Sequence, residues 1–310
     1  MYKRQTLENA KSERLKIALL LGVAFACNVG GIGTPVGTPP NLIFMQVYQE
    51  TTGTALGFVD WMRWGIPVVI VFLPIIGLWL TRYLSSGETL ELPAVGEWRT
   101  EERRTLIVFA LTALAWITRN DPFGGWSAWL DLPQANDASV ALLAVVVMFI
   151  VPNGRGERLL DWESAVRIPW GILILFGGGI CIASAFVSSG ISQIIGEALA
   201  TLSGVHILLL LVTICLSVTF LTEITSNTAT TALMMPVLAA AGVGAAIDPR
   251  LLMVPAAMSA SCAFMLPVAT GPNAVKFSSG LVPIKAMVRE GFGLNLMGAV
   301  VITAVCYLIL

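Results

Sequence analysis

Two short breaks interrupt apolar segments of this chain, and they constrain its fold more than any other feature. The first is Gly-Thr-Pro-Pro-Asn at 37–41, and the second is Ala-Thr-Gly-Pro-Asn at 269–273. Proline ends or kinks a helix because it lacks the amide hydrogen and its ring clashes with the preceding turn. At membrane depth, non-helical backbone persists only where protein or a water-filled cavity satisfies its polar groups. A pair of such interrupted segments indicates the binding site of a transporter.

The composition indicates a polytopic membrane protein. Of the 310 residues, 56% are hydrophobic and only 12% are charged, whereas soluble domains carry about 25% charged residues. The lipid bilayer is therefore the expected surrounding. The net charge of -1 does not identify a partner, and no nucleic acid is expected to bind.

The two breaks belong to an internal repeat. Val-Gly-Thr-Pro-Pro-Asn at 36–41 matches Val-Ala-Thr-Gly-Pro-Asn at 268–273 with a constant offset of 232 residues. Repetition at this scale is typical of transporters built from inverted repeats. The same offset places the counterpart of Ser226-Asn227-Thr228 before Met1. We therefore expect this chain to be the C-terminal part of a longer protein.

The apolar pattern predicts an all-α fold with discontinuous helices. Residues 1–83 would end the first repeat, with a cytoplasmic helix at 1–16, a span broken around 28–41 and a span at 64–83. A connector at 84–103 follows, and then spans at 104–119, 138–151 and 169–188 within the segment 104–190. The last segment, 206–310, would contain a hairpin at 206–240, a broken span at 251–277 and a final span at 292–310.

The positions of the basic residues predict the orientation of the chain. If 206–240 is a re-entrant hairpin and the N-terminus is cytoplasmic, only Arg63, Arg119 and Arg250 of the 18 basic residues lie outside. If 206–240 crossed the membrane once, the basic cluster at 276–290 would also lie outside. Cytoplasmic loops carry an excess of Lys and Arg. The sequence therefore favours the hairpin and places the C-terminus outside.

The polar run at 222–231, Thr-Glu-Ile-Thr-Ser-Asn-Thr-Ala-Thr-Thr, is the densest group of polar side chains in an apolar segment. Hydroxyl groups can bond to their own helix or join neighbouring helices. This density beside a turn instead favours a binding site. Hydroxyl, amide and carbonyl oxygens suit sodium, and the amides of a half-helix N-terminus suit a carboxylate. Glu223 would support the site and not contact an anionic substrate directly, because two negative charges repel each other.

Other classes of function find little support in the sequence. An intramembrane enzyme would need a nucleophile with a base, or a group of metal ligands, but the chain has one histidine and no His/Asp/Glu cluster. No transition-metal site or cofactor is expected. All five cysteines lie in apolar runs, and we expect them to be buried and inert.

The chain resembles the divalent anion/sodium symporters, a family of dicarboxylate and citrate carriers. The similarity covers essentially the whole chain. It is most specific in Gly-Thr-Pro-Pro-Asn-Leu-Ile-Phe at 37–44, in the polar run 222–231, and in Met-Leu-Pro-Val-Ala-Thr-Gly-Pro-Asn-Ala-Val at 265–275. Gly271 departs from the family pattern, in which a proline is usual at that position.

The resemblance implies an elevator-type transporter of the plasma or inner membrane that forms a homodimer when full length. It implies a substrate site formed by Ser226, Asn227, Thr228, Thr270, Gly271, Thr38 and Pro39. One sodium site would use Thr222, Thr225, Asn227 and Ala269, and a second would use Gly37. Glu223, Asn41, Asn273 and Pro272 would support these sites.

The leading hypothesis is sodium-coupled symport of small dicarboxylates such as succinate, malate or fumarate. The absence of Lys and Arg at the breaks favours sodium as the coupling ion, because helix termini and sodium must then neutralise the anion. The alternatives are a sodium-independent di- or tricarboxylate exchanger, a carrier of sulfate or another anion, and an inactive fragment.

Overall fold

The computed structural model describes residues 13–84, 96–120, 124–167 and 206–310, together with single positions between 171 and 194. The described residues form two compact units. One combines residues from Met1–Leu56, Asp60–Pro93 and Gly171–Leu310, and the other combines Gly57–Val59 with Ala94–Trp170. The described part of the chain is built from helices and turns and contains no β-strand.

The first unit begins with a helix, a short break and a second helix. Helix α1 spans Glu13–Ile32, a single 3₁₀ turn covers Pro35–Gly37, and α2 spans Pro39–Thr52. The predicted break began at residue 28, but α1 continues to Ile32, so that boundary was wrong. Glycine costs an apolar helix only about 1 kcal/mol relative to alanine, and Gly30 and Gly31 do not end this one.

The chain then forms the longer helix α3, Phe58–Thr81. Pro67 and Pro74 lie within α3, as is tolerated in membrane helices. Together with α1, α3 belongs to a set of helices that are long and apolar enough to cross a membrane. The other members among the described residues are Ile207–Ile224 and Ile284–Ile309. These helices show an integral, multi-pass membrane protein.

A tight helical pair follows at the predicted hairpin. Helix α8, Ile207–Ile224, and α9, Asn227–Gly244, are joined by Thr225 and Ser226 alone. The break between the two helices therefore lies within the polar run. Helix α9 packs against α2 and against the next helix, α10, Pro249–Ala260. At the start of α10, hydrogen bonds from the Arg250 side chain hold the pKa of the Asp248 carboxyl below its ordinary value.

The second break separates α10 from the short helix α11, Gly271–Phe277, and the last helix, α12, spans Ile284–Ile309. Residues 261–270 between α10 and α11 are not helical. The predicted discontinuity within 251–277 is therefore present. The predicted last span began at 292, but α12 begins eight residues earlier, before its apolar section.

The second unit contains four helices among its described residues. They are α4, Thr100–Ile117; α5, Gly125–Trp129; α6, Asp137–Ile150; and α7, Trp162–Ala165. Helix α4 packs against α6, and α6 begins with a capping box in which the Asn136 side chain accepts a bond from Ser139 N. These helices correspond to the predicted spans at 104–119 and 138–151. The predicted cytoplasmic helix at 1–16, the connector at 84–103 and the span at 169–188 lie partly outside the described residues, and the division into domains by repeat stays a prediction.

Close backbone contacts position α3 and α12 against the two interrupted segments. A Cβ atom on Gly65 of α3 would lie 2.4 Å from the carbonyl oxygen of Ile32, the last residue of α1. The Trp61 indole donates a hydrogen bond to that same oxygen at 2.7 Å. A Cβ atom on Gly291 of α12 would likewise lie 2.3 Å from the carbonyl oxygen of Phe264. In both places glycine lets a helix approach a backbone carbonyl, at the end of α1 in the first case and inside the second break in the other.

We expect Gly65→Ala to lower the melting temperature of the purified protein by several degrees, because the added methyl group must displace the end of α1. Overpacking of this kind costs about 1–3 kcal/mol. Gly77→Ala in the same helix is the matched control, since a Cβ atom there meets nothing within 4 Å. Tryptophan fluorescence during heating measures both variants. Equal melting temperatures for Gly65→Ala and Gly77→Ala would show that the close contact is not needed.

Candidate functional site in the first unit

Asn41 closes the first break from within. Its side chain is fully buried, and Nδ2 donates to the carbonyl oxygens of Gly31 at 3.1 Å and Thr34 at 2.8 Å. These carbonyls lie at the end of α1 and in the break, where the helix supplies no partners. One amide group therefore satisfies two backbone acceptors that would be costly to leave unpaired in an apolar surrounding.

Asn273 closes the second break in the same way. Its buried Nδ2 donates to the carbonyl oxygens of Ala263 at 2.9 Å and Leu266 at 3.2 Å. In both breaks the acceptors lie ten and seven residues before the asparagine. Ala263 and Leu266 are the positions that the 232-residue offset assigns to Gly31 and Thr34. The sequence repeat is thus also a repeat of hydrogen bonds.

The second break contacts α1 through an asparagine pair and comes close to the first break through two hydroxyls. Asn28 of α1 donates from Nδ2 to Oδ1 of Asn273 at 3.2 Å. Nearby, the Ser261 hydroxyl, at the end of α10, donates to the Thr38 hydroxyl at 3.4 Å. These bonds join segments that are more than 200 residues apart in the chain.

Glu223 binds the backbone of the second break and is almost completely buried. Its two carboxylate oxygens accept hydrogen bonds from Met265 N at 2.8 Å and Leu266 N at 2.9 Å. Asn295 of α12 donates to the same carboxylate at 2.8 Å and accepts a bond from Phe264 N at 3.2 Å. This arrangement fits the supporting role that the sequence predicts for Glu223. Asn295 was not predicted, because nothing in the sequence links it to residue 223.

A cavity of about 340 Å³ lies where the two breaks and the hairpin turn meet. Every residue that the family resemblance assigns to the substrate lines it: Ser226, Asn227, Thr228, Thr270, Gly271, Thr38 and Pro39. The wall also includes Pro272, Gly37 and Ala269. Among the described residues that line this cavity, none carries a charge. Its volume is at the small end of the range of roughly 300–1,000 Å³ that is usual for small-molecule sites.

Three helix N-termini meet at this cavity, and they differ in the donors that they offer. Helices α2, α9 and α11 have the N-cap residues Thr38, Ser226 and Thr270, respectively. Pro39 and Pro40 remove the first two amide hydrogens of α2, and Pro272 removes one from α11. Helix α9 begins with Asn, Thr and Ala at 227–229, so its first three amides have no partner within the helix. The N-terminus of α9 is therefore the best anion receptor of the three.

The predicted sodium ligands occupy two kinds of position. Gly37, Asn227 and Ala269 line the cavity. Thr222 lies behind it, with its hydroxyl 2.6 Å from Asn227 Oδ1 and 3.2 Å from the Ala260 carbonyl oxygen, either of which can accept its one hydrogen. Thr225 does not line the cavity, and its hydroxyl pairs with that of Thr230 at 2.5 Å. Which of these oxygens contact sodium stays a prediction.

Gly37 has a steric requirement for glycine. A Cβ atom there would lie 2.3 Å from the carbonyl oxygen of Gly31. Its counterpart at the 232-residue offset is Ala269, which tolerates a side chain. The close approach in the first break accounts for glycine at 37 whether or not its carbonyl binds sodium.

Three residues of the cavity wall were missed in the sequence: Cys27, Asn28 and Ser261. Asn28 could have been found, since it is an amide in the apolar half of α1. Ser261 has no such signal because its neighbourhood is set by the fold. Cys27 and Cys181 are exposed, whereas Cys215, Cys262 and Cys306 are buried, so the expectation that all five are buried was wrong. No group of three or more His, Cys, Asp or Glu side chains suited to a metal occurs among the described residues.

Comparison with known proteins gives a consistent result. Residues 3–309 match the family described as the sodium:sulfate symporter transmembrane region. The sodium-dependent dicarboxylate transporter SdcS of Staphylococcus saprophyticus is 41% identical over 305 residues, which cover 94% of this chain and 58% of that protein. The protein of the same name from Staphylococcus aureus (strain MRSA252) is 40% identical over 312 residues, covering 96% and 59% respectively. The chain thus spans about three fifths of the length of these relatives.

We expect Asn41→Ala to destabilise the protein markedly, because the Gly31 and Thr34 carbonyls lose their shared donor. Each buried group left unpaired costs roughly 1–3 kcal/mol. The matched control on the same helix is Gln46→Ala, which removes only a solvent-exposed bond to Glu50. Melting temperatures in detergent compare the two variants. If Asn41→Ala melts together with Gln46→Ala, the carbonyls have other partners and Asn41 does not hold the break.

Proposed function

The chain belongs to the sodium:sulfate symporter family, and from that premise we propose that the protein moves small dicarboxylates across a membrane together with sodium. Succinate, malate and fumarate are the small dicarboxylates that we expect as substrates. Two relatives are named sodium-dependent dicarboxylate transporters. The observation that carries the proposal is the uncharged cavity at the N-terminus of α9. Hydroxyls and backbone amides that suit a carboxylate lie there together with the predicted sodium ligands.

One carboxylate of the substrate binds at the start of α9. The backbone amides of residues 227–229 donate to it, and the hydroxyls of Ser226 and Thr228 complete the contact. A helix N-terminus carries about half a positive charge, which favours the carboxylate without a basic side chain. The second carboxylate is received on the opposite wall, by Thr38 and by Thr270 and Gly271 of the second break.

Sodium supplies the remaining positive charge. Carbonyl, hydroxyl and amide oxygens suit a hard cation, and Gly37, Asn227 and Ala269 present such oxygens at the cavity, with Thr222 behind Asn227. Half a positive charge from each of three helix N-termini, about 1.5 in total, does not balance a dianion in a low-dielectric site. Sodium therefore binds first and lowers the cost of bringing the dianion to mid-membrane, which couples the two fluxes.

The architecture proposed with this function is a pair of inverted repeats in an elevator-type homodimer. The equal hydrogen-bond pattern of Asn41 and Asn273 supports the repeats. The N-terminus is assigned to the cytoplasm and the C-terminus to the outside of a plasma or inner membrane. This orientation puts the beginning of α1, the end of α3 and the beginning of α12 on the same side of the membrane. In its support, these three helix ends line one cavity.

We expect the purified full-length protein in proteoliposomes to take up radiolabelled succinate only when an inward sodium gradient is applied. Replacing external sodium with choline removes the coupling ion, and uptake then falls to the level of empty vesicles. Uptake that persists without sodium and needs a counter-substrate inside would identify an exchanger instead. Sulfate and arsenite are tested as competitors, and inhibition by these ions but not by malate would reassign the substrate.

In the same assay with the full-length protein, Asn227→Ala is expected to abolish uptake while leaving expression intact. The substitution removes the side-chain oxygen at the cavity and an acceptor for Thr222. Asn153→Ala is the matched control, because Asn153 lies in an exposed loop of the second unit, and its uptake is expected to be unchanged. Normal uptake kinetics for Asn227→Ala would refute the assignment of the site.

A further inference from the structure

A second and larger cavity, of about 620 Å³, lies at the other end of α1. It is lined by the beginning of α1, the end of α3 with the residues that follow it, and the beginning of α12. Arg14 lines this cavity and Asn28 lines the first one. Fourteen residues of helix between them correspond to roughly 21 Å. The second cavity is therefore separate from the proposed transport site.

Arginines dominate the charge of this second cavity, which we call the arginine cavity. Arg14, Arg82 and Arg289 line it, and Glu290 is the one acidic residue among the described residues of its wall. Glu290 is already paired: Arg82 Nη2 contacts one carboxylate oxygen at 2.7 Å, and Arg289 Nη2 contacts the other at 2.8 Å. Three guanidinium groups facing one carboxylate leave an excess of two positive charges.

The Arg82 guanidinium is held in place before any ligand arrives. It stacks over the Trp79 ring at 3.7 Å and over the Tyr83 ring at 4.4 Å from the centroids. Trp79 is fixed in turn by Gly293 of α12, where a Cβ atom would lie 2.4 Å from the indole ring. Planar guanidinium groups that are stacked in this way suit phosphate, which they can bind through two parallel hydrogen bonds.

The rest of the wall is apolar. Ile17, Leu21, Leu80 and Phe292 line the cavity below the arginines. A small inorganic anion would leave this surface uncovered, whereas a phospholipid carries a phosphate and a hydrocarbon chain in one molecule. Basic pockets between membrane helices on the cytoplasmic side bind anionic lipid head groups, and the orientation proposed above places the arginine cavity on that side.

We propose that the arginine cavity binds the phosphate of an anionic phospholipid, with Arg14 and Arg289 at its rim, Arg82 at its base and the acyl chain on the apolar wall. This site does not depend on the identity of the transported substrate. It joins α1, α3 and α12 at one membrane surface, so an occupied site stabilises the packing of these three helices.

The test measures lipid binding to the purified, delipidated protein by native mass spectrometry and by the shift in melting temperature. The probes are dioleoylphosphatidylglycerol, the neutral dioleoylphosphatidylcholine and inorganic phosphate. We expect phosphatidylglycerol to bind and to raise the melting temperature, and phosphatidylcholine to do neither. Each basic residue near a membrane surface contributes about fivefold to anionic lipid binding, so Arg14→Gln with Arg289→Gln is expected to weaken it about twenty-five-fold.

Arg63→Gln is the control matched to Arg14→Gln, since each variant removes one positive charge and Arg63 lies outside the cavity, near the opposite end of α3. Arg14→Gln alone, at an exposed position, keeps the test decisive if the double variant fails to fold, and Arg14→Lys is expected to retain most of the binding. Equal binding by the double variant and Arg63→Gln, or equal binding of the two lipids, overturns the proposal. Inorganic phosphate that competes fully at millimolar concentration would overturn the lipid assignment and identify a soluble phosphate ligand.

Discussion

The site depends on one constraint: backbone that leaves the helix inside a membrane must find its hydrogen-bond partners within the protein. Each break exposes carbonyls that its helix cannot satisfy. In each break, one buried asparagine donates hydrogen bonds to these carbonyls. Asn41 and Asn273 donate to carbonyls at the same two distances along the chain. Because these bonds fix the loops, the oxygens and amides on their other side can face a cavity without collapsing onto each other.

The same constraint separates the roles of the three helix N-termini. Prolines at the starts of α2 and α11 end the preceding extended segment sharply, but they remove amide donors. The start of α9 has no proline among its first residues and keeps these donors. The breaks are therefore better suited to offering carbonyl oxygens to a cation, and α9 to receiving a carboxylate. On the proposed function, this division places the cation and the anion side by side, where each lowers the cost of burying the other.

Sequence reasoning predicted the parts of the site that have a local signature. Proline pairs, the dense polar run and the repeated motif located both breaks and the hairpin, since each follows from what the backbone can do at that position. It placed the start of the first break too early, because two glycines in an apolar helix are tolerated. It could not find Ser261, Asn295 or the exposed side of Cys27, whose surroundings are created by segments distant in the chain. The family relationship is confirmed, while the roles of individual residues stay predictions.

The two breaks are not equivalent, and the difference bears on how the protein could move. At the first, Trp61 of α3 donates to the carbonyl of Ile32, the last residue of α1 before the break. The second is bound by Glu223, which lies just before the hairpin turn and also pairs with Asn295 of α12. Each hydrogen bond to a buried charged group is worth roughly 1.5–3 kcal/mol.

Three such bonds at Glu223 exceed the few kcal/mol that separate functional conformations. Opening the site by pulling the hairpin away from the second break is therefore unfavourable. On the proposed function, we expect the hairpin turn, the second break and α12 to move together, so that the wall they form stays intact. On the proposed function, access alternates by carrying the whole site across the membrane, as an elevator mechanism requires.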